Sequence, residues 1–170
     1  GKLTIRDSKG GGRITGGRDS GEFSGVPDEM AGAIHLQNDS VLVLESGAIT
    51  GNETNMSGGA VFLNDSSTFI MTGGEISGNK ARQNMDDARR GLGGGVAVWD
   101  EANFFMSGGV ITDNVAGNLG GGVYAGSSGI VCLTGGLITG NRSANSFGLA
   151  RCGGSGVAAD SDIYLGGDIK

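Results

Sequence analysis

The sequence predicts an all-β chain wound as a parallel β-helix, a solenoid of about five to six coils, on three observations. A short phrase returns six times, as GGRITGG at 11–17, SGAITGN at 46–52, GGEISGN at 73–79, GGVITDN at 108–114, GGLITGN at 135–141 and a truncated GGDI at 166–169. A second phrase, a glycine cluster running into a short apolar strand, follows each of the first five: AGAIHL at 31–36, GGAVFL at 58–63, GGGVAV at 93–98, GGGVYA at 120–125 and GGSGVAA at 153–159. Repetition at a period of tens of residues is the mark of stacked repeat architecture. Composition is the third observation. Glycine supplies 37 of 170 residues without a Gly-X-Y period, and the apolar share is 37% with few aromatics. A collagen reading therefore fails, whereas a narrow stacked core needs only small and medium apolar side chains.

Each repeat reads as strand, turn, strand, glycine-rich corner, strand. The isoleucines of the first phrase, Ile14, Ile49, Ile76, Ile111, Ile138 and Ile169, lie 35, 27, 35, 27 and 31 residues apart. From the Asn of the first phrase to the Val of the second is 9 residues in short coils (Asn52 to Val61, Asn114 to Val123) but 17 and 16 in long ones (Asn79 to Val96, Asn141 to Val157). A constant coil with insertions at one corner follows, with long loops in alternate coils on one edge. Residues 1–170 form a single β-helix domain on this reading, taken as a segment of a longer surface protein because no signal peptide opens it and it starts and stops within a coil.

Side chains alternate faces along a strand. In the strand before each first phrase the inward set is Leu42, Leu44 and Ile49; Phe69, Met71 and Ile76; Phe104, Met106 and Ile111; Val131, Leu133 and Ile138. In the second phrase Ile34, Val61, Val96, Val123 and Val157 form one column, with Leu36, Leu63, Val98, Ala125 and Ala159 beside it. Stacked at roughly 4.8 Å, such columns pair in parallel and in register. Asn52, Asn79, Asn114 and Asn141 recur just after a strand, where Asn tolerates a left-handed bend and its amide can ladder with the next coil.

Phrases such as FMSGGVITDN and GGGVYA resemble those of right-handed parallel β-helix proteins of pectate-lyase-like architecture, and in particular the glycine-rich repeats of bacterial surface proteins and autotransporter-like adhesins. The resemblance spans about the whole chain. Chlamydial polymorphic membrane proteins carry GGAI and FxxN repeats; AGAI at 31–34 and GGAV at 58–61 are similar, while no regular FxxN occurs. The resemblance implies right-handed winding, which parallel crossovers also favour, and a bacterial cell-surface or secreted location.

Charge and outward columns narrow the function. A net charge of -6 argues against nucleic acid, which calls for a basic stripe, and no run is long and apolar enough to insert in a membrane. Pectate-lyase-like enzymes imply acids and bases on outward strand positions. Here the columns are His35, Phe62, Ala97, Tyr124 and Ala158; Thr15, Thr50, Ser77, Thr112 and Thr139; and Arg13, Ala48, Glu75, Val110 and Leu137, with one carboxylate among them. Val43, Ile70, Phe105, Cys132 and Ile163 read as an outward apolar stripe, to be covered by the chain's own loops or by a partner.

Asp65, Asp100 and Glu101, just after the second-phrase strands, are hard oxygen ligands on neighbouring coils and a candidate Ca²⁺ site, with solvated turn formers as the alternative. No other cofactor is expected. Cys132 and Cys152, the only cysteines, are a disulfide candidate or two free thiols. The long loops 18–30, 80–92 and 142–152 lie at one corner, the first with net charge -3 and the second with +2. Insertions on one edge of a repeat protein are where binding surfaces are built. The expected function is therefore non-catalytic adhesion to a host extracellular protein or glycan through Arg82, Asp86, Arg89 and Arg90, with Phe62 and Tyr124 for stacking on sugar rings. The alternatives are a polysaccharide lyase or glycoside hydrolase acting on acidic glycans, and a structural stalk that contacts only neighbouring coils of its parent chain.

Overall fold

In the computed structural model, residues 1–19, 32–82, 90–126, 128–144 and 163–165 are described. The chain is all-β there, and each turn contributes four strands rather than the three the phrases suggest. The first turn holds β1 (Lys2–Ile5), β2 (Arg13–Ile14), β3 (Arg18–Asp19) and β4 (Ile34–Leu36). The second holds β5 (Val41–Leu44), β6 (Ala48–Thr50), β7 (Glu53–Thr54) and β8 (Val61–Leu63). Next come β9 (Thr68–Met71), β10 (Glu75–Ser77), β11 (Lys80–Ala81) and β12 (Val96–Val98). After them follow β13 (Asn103–Met106), β14 (Val110–Thr112), β15 (Val115–Ala116) and β16 (Val123–Ala125). The last described turn has β17 (Ile130–Leu133), β18 (Leu137–Thr139), β19 (Arg142–Ser143) and β20 (Ile163–Leu165).

Equivalent strands of successive turns pair in parallel, giving four five-stranded sheets: β1-β5-β9-β13-β17 first, then those built on β2, β3 and β4. This arrangement is compatible with a parallel β-solenoid. The register is residue for residue, with Leu42 beside Phe69, Phe69 beside Phe104 and Phe104 beside Val131. Like therefore stacks on like. Phe69 and Phe104 lie nearly parallel at 5.0 Å between ring centres, an offset stack that adds to their burial. Ile49, Ile76, Ile111 and Ile138 are fully buried in the second sheet, and Val61, Val96 and Val123 in the fourth. Each such aliphatic contributes about 1.5–3 kcal/mol by leaving water. The two-residue strands of the third sheet turn small residues inward, Thr54, Ala81 and Ala116.

Two expectations are corrected. Ile163 does not join the outward stripe of the first sheet; it pairs with Val123 in the fourth sheet, as Tyr164 pairs with Tyr124. The fourth-sheet strand of that turn is thus 163–165 rather than 157–159, which lies outside the described residues. The corner preceding it is correspondingly longer, with nineteen residues between Ser143 and Ile163. The first residues of each long loop (18–19, 80–81 and 142–143) are likewise not loop but third-sheet strand.

Asn52, Asn79 and Asn114 are fully buried and Asn141 is 5% exposed. None bends left-handed. That conformation belongs to the residue before each, Gly51 (φ 66°), Gly78 (62°), Asp113 (54°) and Gly140 (69°). Turning the chain one residue early aims the Asn amide inward, where it ladders. Asn79 donates its backbone N–H (3.0 Å) and its Nδ2 (2.9 Å) to Asn114 Oδ1, and Nδ2 also donates to the Ile49 carbonyl (2.9 Å). Asn52 donates in the same way to Asn79 Oδ1, and Asn114 to Asn141 Oδ1. Gly17, at the equivalent place in the first turn, donates its N–H to Asn52 Oδ1 (3.0 Å). Buried polar groups are tolerated because they are bonded.

Candidate functional site

Corner lengths decide where surface features can vary. Three residues join the first sheet to the second in four turns (45–47, 72–74, 107–109 and 134–136), and four join the fourth to the next first strand (37–40, 64–67 and 99–102). Between third and fourth sheets the corner is six residues at 55–60 and 117–122 but fourteen between Ala81 and Val96.

The third-to-fourth corner folds back over the outward face of the fourth sheet, and this overturns one of the expected contact residues. A Cβ on Gly58 would sit 2.8 Å from Phe62 Cβ, and one on Gly120 would sit 2.8 Å from Tyr124 Cβ. Phe62 points outward yet is 2% exposed, with His35 packed edge-on at 5.2 Å. It is closed to a sugar ring. Tyr124 is half-buried, its ring tilted against Trp99 at 5.6 Å. His35 is half-buried too, and its Nε2 lies 3.0 Å from Asn64 Oδ1. The corners also bond to one another between turns: the Gly91 N–H donates to the Met56 carbonyl, and the Asn118 N–H to the Gly91 carbonyl, each at 2.8 Å.

Of the four charged contact residues expected, Asp86 and Arg89 lie outside the described residues. Arg90 is 6% exposed and so is not the solvent-facing contact its charge suggested, because it belongs to the stacked corner rather than to the loop tip. Arg82 is exposed, and its Nε donates to Glu53 Oε1 on the neighbouring turn. That hydrogen bond holds the Glu53 carboxyl below its ordinary range; burial opposes it, and the charges of Arg82, Lys80 and Arg18 add to the lowering. The same bond raises Arg82. Three cations thus surround one carboxylate. Arg18 and Lys80 share with Glu53 the outward column of the third sheet, where Arg18, Glu53, Lys80, Val115 and Arg142 follow in register. Aligning the sequence on the residue after each Asn would have shown this column.

The carboxylates proposed for calcium stand at the fourth-to-first corner. Each corner is a four-residue turn closed by a backbone bond, Ser67 N–H to the Asn64 carbonyl (3.1 Å) and Ala102 N–H to the Trp99 carbonyl (2.9 Å). Both central residues have positive φ: Asn38 53° and Asp39 56°, Asp65 50° and Ser66 57°, Asp100 45° and Glu101 62°. Two left-handed residues in succession define a type I′ turn, which favours Asn, Asp and Gly. That preference accounts for Asn38, Asp39, Asp65 and Asp100, whereas Ser66 and Glu101 take the left-handed conformation at a cost. Stacking brings Asn38, Asp39, Asp65, Ser66, Asp100, Glu101 and Ser128 around an open concavity of about 460 Å³. Among the described residues no three His, Cys, Asp or Glu side chains are placed to share a metal ion.

On the first sheet the outward column runs Thr4, Val43, Ile70, Phe105 and Cys132. Val43 is buried while Phe105 is 40% exposed. Cys132 is half-buried with a free thiol, and its candidate partner Cys152 lies outside the described residues. No known protein family matches the chain, and no curated protein or solved structure matches it.

Proposed function

We propose that this chain is part of a right-handed parallel β-helix of at least five coils that acts as a non-catalytic binding module of a cell-surface or secreted protein, contacting a glycan or an extracellular protein. The observation that carries this reading is the division of labour between corners. From the second turn on, three of them keep constant length, tied by the buried amide ladder and by in-register pairing, while one accepts from six to nineteen residues. A stiff frame with one edge free to vary suits display of a binding surface. The exposed Arg82 and Lys80 beside that edge, with the half-buried Glu53, supply polar contacts whose positions the third sheet fixes.

A screen of the purified chain against a glycan array and a panel of extracellular proteins tests this, run beside a variant lacking residues 83–89. A ligand bound by the parent and lost in the variant supports the reading; silence from both overturns it in favour of a structural stalk. A second reading, cleavage of acidic glycans, draws on the carboxylates gathered at the Asp65, Asp100 and Glu101 corner. Turnover of uronic-acid polymers, with or without calcium, that disappears in an Asp100→Ala, Glu101→Ala double variant would establish it.

A further inference from the structure

The outward face of the third sheet is cationic in alternate turns. Arg18, Lys80 and Arg142 are all exposed. The ion pairs among the described residues are Arg6 with Glu45 and Arg82 with Glu53, so these three cations stand outside both. Glu53, the carboxylate in their column, is neutralised by Arg82. The fourth-to-first corner has the opposite character, with exposed Asp39 from the first turn, Asp65 from the second, and Asp100 with Glu101 from the third. Their spacings agree. Arg18 and Lys80 are separated by two strand spacings, about 10 Å, and so are Asp39 and the Asp100, Glu101 pair.

We propose that the third-sheet face docks a second copy of this chain, its cationic column laid along the acidic corner of the neighbour. The two stacks lie side by side with strand spacings matched, so that Arg18 and Lys80 meet the first-turn and third-turn carboxylates together. Glu53, between them, carries no net charge against Asp65 because Arg82 pairs with it. Complementary ladders of equal pitch let several weak exposed pairs act at once. The donating and receiving faces are different patches, so the contact is heterologous. A bound pair leaves one of each face open, and association extends into rows instead of closing as a dimer.

Sedimentation velocity over a range of concentration and salt tests the proposal with two charge-reversal variants, Arg18→Glu, Lys80→Glu, Arg142→Glu and Asp39→Lys, Asp100→Lys, Glu101→Lys. All six positions are exposed, and circular dichroism melts confirm that the fold is kept. The wild type is expected to associate progressively at low salt and to dissociate as salt rises. Each variant alone is expected to bind itself at least about tenfold more weakly, the loss of two or three exposed pairs. Mixing the two variants is expected to restore association, because the reversed, acidic column of the first then meets the reversed, basic corner of the second. A wild type that stays monomeric, variants that associate as the wild type does, or a mixture that stays apart would each overturn it. Retention of a monomeric wild type on an acidic glycan through Arg18, Lys80 and Arg142 would also overturn it and assign the column to that ligand.

Discussion

Replacing Asn79 by Ala removes one rung from the middle of the amide ladder, and its cost can be worked bond by bond. Asn79 Oδ1 accepts the backbone N–H of Asn52 (3.0 Å) and its Nδ2 (2.9 Å), while Asn79 Nδ2 donates to Asn114 Oδ1 (2.9 Å) and to the Ile49 carbonyl (2.9 Å). All four bonds are lost. Asn114 Oδ1 keeps the Asn79 backbone N–H, and Asn52 Nδ2 keeps the carbonyls of Ile14 and Thr50. The Asn52 N–H, in a fully buried residue, loses the Oδ1 that it bonds. Four bonds at a net of roughly 1 kcal/mol each give a loss of about 4 kcal/mol, within which the stranded N–H is the largest part. Urea unfolding followed by circular dichroism measures it, with Ser77→Ala as the control, since Ser77 makes a single half-exposed contact to Thr50 at 3.2 Å and should cost under about 1 kcal/mol. Native-state hydrogen exchange should show the Asn52 amide losing protection. If Asn79→Ala and Ser77→Ala unfold at the same urea concentration, the amide column is not what ties the turns together.

Gly94→Val should destabilise by at least about 3 kcal/mol or prevent folding, because a Cβ there would sit 2.3 Å from the Gly121 carbonyl oxygen; a melt within a few degrees of the parent would contradict the packing described. Glu101→Gly should stabilise by about 1 kcal/mol, since Glu101 at φ 62° bears a left-handed cost that Gly avoids, and thermal melts would register the gain. Titration of Glu53 by NMR should give a midpoint below its ordinary 4.5, and Arg82→Ala should move it upward. Because the folded value is the depressed one, the pair's contribution is present above the unfolded value and fades as pH falls through the folded one. Arg82→Ala should therefore lower stability at neutral pH and leave it unchanged in acid, where Glu53 is protonated in both states.

The columns facing the core were legible because the repeat aligns them and burial demands the same chemistry in every turn: Ile49, Ile76, Ile111 and Ile138 read as one feature before any coordinates. The third sheet was not legible. Its strands are two residues long, with small inward residues such as Ala81 and Ala116, too short for alternation to register. The surface was read least well, because pointing outward is a property of the strand whereas exposure depends on what folds over it. Phe62 shows the difference, outward in direction and closed by the corner at Gly58. Arg90 shows it again, a charge taken for a loop contact that sits in a stacked corner. The four asparagines were correctly placed in a ladder, yet the left-handed bend assigned to them belongs to the preceding residue. A type I′ turn and a metal site both draw on Asp, which is why Asp65 and Asp100, with Glu101 beside them, suggested calcium.

The in-register stack also sets how the molecule would yield under tension. A load applied along the stacking axis falls directly on the hydrogen bonds between one turn and the next, and a turn that lets go has no other attachment to the remaining stack. Rupture then proceeds turn by turn from an end. Each event releases the residues of one repeat, 27 from Ile49 to Ile76 and 35 from Ile76 to Ile111, or about 90 Å and about 120 Å of extended chain. Single-molecule pulling would record unequal step lengths, a mechanical signature written chiefly by the corner between the third and fourth sheets.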